Sequence, residues 1–64
     1  MSRKHYVAIA ATFAAQRREI FADPDREFGS IFLLGELAAK QADVFATDNP
    51  NFDRGRFLAA CREA

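Results

Sequence analysis

From about Ile31 to Thr47 the chain carries apolar side chains around almost the whole circumference of a helix. At about 100° per residue, Glu36, Lys40, Asp43 and Thr47 fall in one narrow stripe. Ile31, Phe32, Leu33, Leu34, Leu37, Ala38, Ala39, Ala42, Val44, Phe45 and Ala46 occupy the rest, interrupted only by Ser30 and Gln41. A helix of this kind asks for cover on several sides.

Residues 3 to 22 predict a second helix. Tyr6, Ile9, Ala10, Phe13 and Ile20 follow the i, i+3, i+4, i+7 spacing of one face, with Phe21 on its shoulder. Alanine fills much of the remainder and favours helix. Ser2 is a natural N-cap. Arg17 lies near the apolar stripe, where its stem can lie along the surface with the guanidinium in water.

Asp23-Pro24-Asp25 breaks this helix, because proline disfavours helical geometry at the residue before it. Pro24 to Phe28 reads as a short turn, with Ser30 capping the long helix. One helix running on from Pro24, capped by Asp23, is the alternative. Asn49-Pro50-Asn51-Phe52 is a turn with proline at its second position. Asp53 then caps a third helix, Arg54 to about Glu63. Phe52 before the cap and Phe57 four residues after it form a hydrophobic staple, and Phe57, Leu58 and Cys61 make the buried face.

No sustained period-two alternation competes with helix. The expectation is one all-α domain over residues 1–64: a long helical hairpin plus a short C-terminal helix, dimerising into a helical bundle. Short connections favour antiparallel neighbours.

Size sharpens the need for cover. Sixty-four residues bury roughly 6,000 Å² on folding, worth on the order of 90 kcal/mol, against an ordering cost of the same order. Domains so balanced lean on disulfides, a metal or association. A single cysteine, Cys61, and a single histidine, His5, far apart in sequence, leave no disulfide and no metal-ligand cluster. No cofactor motif is present. Self-association, or binding to another protein, is the expected support, with a well-packed phenylalanine core as the plain alternative.

The expected interface is Phe28, Ile31, Phe32, Gly35, Ala39, Ala42 and Ala46. Phe32 points away from Leu34 and Phe45, and Gly35 with the alanines would let another helix approach closely. Aromatic residues are enriched at interfaces.

Nine basic and nine acidic residues balance to zero net charge, unlike a dedicated nucleic-acid binder. An up-down-up topology would nevertheless gather Arg3, Lys4, His5, Arg54 and Arg56 at one end. Cations at helix N-termini oppose the macrodipole, so this end could face an anion, unless Asp48 and Asp53 neutralise it. A small DNA-binding regulator using Arg54 and Arg56 is thus an alternative function, although the connection is long for a helix-turn-helix. A structural component of an assembly is another. No apolar run approaches the ~20 residues of a membrane span, and no signal-peptide core follows the basic start. A cytoplasmic protein is expected. Nothing has the spacing of a catalytic site; Cys61 reads as a core thiol.

The Tyr6-x-x-Ile9-Ala10 opening and the run Asn49-Pro50-Asn51-Phe52-Asp53-Arg54-Gly55-Arg56-Phe57-Leu58-Ala59-Ala60-Cys61 resemble small helical proteins of actinobacteria and their bacteriophages. The shared ending is Asn-Pro-x-Phe-Asp-x-x-x-Phe-Leu-x-Ala-Cys, and Gly55 is a less favourable helical residue than alanine. The resemblance implies a source and an intracellular setting; it makes no residue catalytic.

Overall fold

The computed structural model describes residues 2–27 and 29–63. These form α1 (Arg3–Ala22), α2 (Ser30–Asp48) and α3 (Arg54–Cys61), with no strand among the described residues. α1 and α2 make the hairpin, and α3 packs against both.

Local chemistry sets the ends of the helices. Ser2 caps α1 through a device the sequence reading missed. The Ser2 backbone N–H donates to His5 Nδ1 at 3.2 Å, and Ser2 Oγ lies 3.0 Å from the same nitrogen. His5 thus stands where a capping box ordinarily has Glu or Gln. The break after α1 is an Asx turn in which Asp25 N–H donates to the Asp23 carboxylate at 2.9 Å. α2 starts one residue earlier than expected, with Gly29 rather than Ser30 at the cap. Ser30 N–H instead donates to Glu27 O at 3.1 Å. Asp53 caps α3 as expected, accepting from Arg56 N–H at 3.0 Å. α3 stops at Cys61, two residues short of the expected end.

Tyr6, Ala10, Ala38, Ala42, Phe45, Phe57 and Cys61 form one buried cluster, with Ile9, Phe13, Phe52, Leu58 and Ala60 packed against it. Four rings lie at its centre. Tyr6 is 5.0 Å from Phe45 and 4.7 Å from Phe52, centroid to centroid. Phe45 lies 5.5 Å from Phe52 and 5.4 Å from Phe57, and Phe52 lies 5.6 Å from Phe57. The crossings are tilted or edge-on, as the ring quadrupole favours. The staple is real: Phe52 and Phe57 are two of the four rings.

This core sits toward one end. It joins the first part of α1, the second part of α2 and all of α3. The molecule is elongated, 40 × 18 × 15 Å, with a radius of gyration of 12.3 Å against about 11 Å for a compact chain of this length. At the connection end, Phe21 is exposed but flanked by guanidinium groups: Arg17 stands 4.8 Å and Arg26 5.4 Å from its ring centroid. Arg17 also donates to Arg62 O and Arg18 to Glu63 O, each at 3.4 Å. Two α1 arginines therefore serve carbonyls just beyond the C-terminus of α3, where a cation is favoured.

The Tyr6 hydroxyl is buried and has no hydrogen-bond partner among the described residues, an arrangement that costs the desolvation of a polar group. Tyr6→Phe should raise the thermal midpoint by several degrees, on the scale of about 4–8 °C per kcal/mol for a domain this small; thermal melting by circular dichroism checks it. In the opposite sense, Phe57→Ala removes a ring that touches Phe13, Phe45 and Phe52. Such truncations cost about 3–5 kcal/mol, comparable with the whole stability of a small domain. The same measurement should show cooperative melting lost.

Candidate functional site

The outer face of α2 is the chemically distinctive surface. Only Ala38, Ala42 and Phe45 of this helix are buried, all on the side turned to α1 and α3. Cover on several sides, which the sequence asks for, is not supplied by the described residues. Leu33 (67% exposed), Leu37 (49%) and Val44 (60%) lie outside. At about 100° per residue these three fall within roughly 40° of one another, a single stripe along the helix. Glu36 and Lys40 flank it on one side, both exposed. Phe32 is also 67% exposed, but lies beyond the polar residues, about 100° around the helix from Leu33.

The expected interface residues scatter over several environments. Phe28 lies outside the described residues. Ile31 and Ala39 are half-buried and line a groove of about 240 Å³ between the helices, with Phe13, Leu34, Ala38 and Leu58. Gly35 lines the same groove, and a Cβ there would meet nothing within 4 Å. No helix among the described residues uses its smallness. Ala46 is half-buried. Ala42 requires correction: at 0% exposure it belongs to the intramolecular core and offers a second molecule no surface. Its 40° offset from Ala46 separates core from flank. Leu33, Leu37 and Val44 were missed, although their i, i+4, i+11 spacing is legible in the sequence.

The basic end is dispersed in the same way. Arg3 and Arg56 do meet, lining a cleft of about 560 Å³ with Tyr6, Asn49, Asn51 and Phe52. The Asp53 carboxylate lines it too, so the cationic character is partly cancelled. His5 is engaged with Ser2 at the α1 cap. Arg54 turns away to α2, where its Nε donates to Asp43 Oδ1 at 3.0 Å. The sequence reading missed this pair, because its members flank a turn and sit eleven residues apart. Lys4 is exposed on α1. Of the five, Arg3 and Arg56 share a cleft, and Arg54 is held by Asp43.

Cys61 is a free, buried thiol. Burial pushes its pKa up, offset in part by the neighbouring Arg62 charge. A thiol held neutral is a poor nucleophile. No group of three or more His, Cys, Asp and Glu residues among those described could hold a metal ion, and no described helix is long and apolar enough to cross a membrane. Comparison with known protein families, curated proteins and solved structures yields no match.

The raised Cys61 pKa has a sign. The unfolded chain ionises its thiol at lower pH than the folded one, so the folded state is favoured less as pH rises above the ordinary thiol value. At neutral pH the native thiol should react with iodoacetamide at least about tenfold more slowly than in denaturant, because attack needs an exposed thiolate. Mass-spectrometric alkylation kinetics measure this.

Proposed function

We propose that this chain is a small, non-catalytic protein–protein interaction module that works as a homodimer through the outer face of α2. The observation that carries this reading is the stripe of Leu33, Leu37 and Val44 left in water on a helix rich in apolar residues. Scattered exposed apolar residues are ordinary; an aligned set along one helix is the mark of an association face.

Area supports a second copy as the occupant. The chain has 4752 Å² of accessible surface, whereas folded monomers of its mass have about 4,100 Å². The excess, roughly 600 Å² per chain, is surface that a compact monomer of this mass would bury and that a second copy can cover. The resemblance to small actinobacterial and phage proteins implies an intracellular setting for such a module and carries no function of its own. The arrangement of basic residues does not favour nucleic acid, since Arg54 is committed to Asp43 and the acid Asp53 stands beside Arg56.

Size-exclusion chromatography with light scattering should give a dimer mass at micromolar concentration. Leu37→Glu should give a folded monomer with unchanged helicity. A stable wild-type monomer overturns the reading. Dissociation by Phe32→Glu but not by Leu37→Glu would move the interface to the side of α2 that bears Gly35 and Ala39.

A further inference from the structure

We infer that α2 pairs with α2 of a second copy in antiparallel orientation, Glu36 of each protomer facing Lys40 of the other. The inference rests on the self-association proposed above and specifies its geometry.

Three features of α2 point the same way. Leu33 and Val44 sit near the two ends of the apolar stripe, and a twofold axis midway between them sets Leu33 of one copy against Val44 of the other. That register is chosen by apolar contact alone. It also brings Glu36 to within one residue of the level of Lys40 of the second copy, an axial offset of about 1.5 Å. Glu36 and Lys40 lie on the same flank of the stripe. In an antiparallel pair each flank meets its own equivalent, so the two residues face each other twice, once on each side of the axis. A parallel pair sets this flank against the other one, which carries Gln41 and Asp48, and creates no such match.

The second feature is availability. Arg54 and Asp43 form the ion pair found among the described residues, and neither Glu36 nor Lys40 is engaged in one with any of these residues. Lys40 also comes level with Leu37 of the second copy, where its methylene stem can cover that side chain while its ammonium reaches Glu36.

The third concerns helix ends. α2 has no side-chain cap at its start, no acid in its first turn and no base in its last, so its own terminal turns leave its macrodipole uncompensated. Antiparallel pairing sets Asp48 of one copy about one residue's rise from the level of Ser30 of the other. A carboxylate near the first turn of a helix is favourable.

These contacts set partner choice and orientation more than affinity. The test uses light scattering and sedimentation equilibrium on the full chain. Glu36→Lys alone, or Lys40→Glu alone, makes both reciprocal pairs repulsive and should raise the dimer dissociation constant about tenfold or more. An equimolar mixture of the two variants restores both attractive pairs and should form a heterodimer of near wild-type affinity. The double variant carrying both changes should regain wild-type affinity as a homodimer. Both residues are exposed, and helicity by circular dichroism verifies that each variant is folded. A monomeric wild-type chain overturns the dimer and this geometry together. A wild-type dimer indifferent to the single changes, or weakened by them without recovery in the mixture and the double variant, overturns the antiparallel pairing alone.

Discussion

Everything else in this molecule depends on four aromatic rings meeting at one end of a helical hairpin. Tyr6 comes from α1, Phe45 from α2, Phe52 from the turn and Phe57 from α3. Each segment contributes one ring, so no two helices can complete the centre without the third. Around the rings the packing uses alanine: Ala10, Ala38 and Ala42 are almost fully covered. Small side chains let the helix backbones come close, and the rings fill the space that remains. No large side chain among the described residues falls below 2% exposure. The core is thin, and one ring is a large share of it.

That concentration explains the surface. Apolar material on α2 is spent on two directions, one toward α1 and α3 and one toward solvent. Among the described residues no fourth element lies over the second direction. The outer stripe and the elongated shape are therefore two views of one shortage, and the self-association proposed above would add cover without adding sequence.

Much of the fold was legible in the residues. The limits of α1 followed from periodicity, and the third helix from the Asp53 cap and the Phe52–Phe57 staple, because these are local patterns that propensity and capping decide. The site was less legible for a physical reason. Periodicity gives the angular position of each side chain on its own helix, but not the directions from which the neighbours approach. Ala42 and Ala46 look alike in sequence; the placement of α1 and α3 makes one a core residue and leaves the other half-buried. The same ignorance drew attention to the small-residue side of α2 and away from Leu33, Leu37 and Val44. Charges were misread similarly. His5 and Arg54 counted as free cations, whereas one closes a helix start and the other reaches across a turn to Asp43.

The contact between Tyr6 and Phe52 has a consequence for how the protein is made. It joins positions 46 residues apart (6 to 52) in a 64-residue chain, a long span for a helical fold, whose contacts are usually local. A chain emerging from the ribosome can coil α1 and α2 early, yet the ring cluster cannot close until α3 has been released. The core therefore forms only after both earlier helices have been made, and through that interval the nascent hairpin shows its greasy side to whatever meets it first.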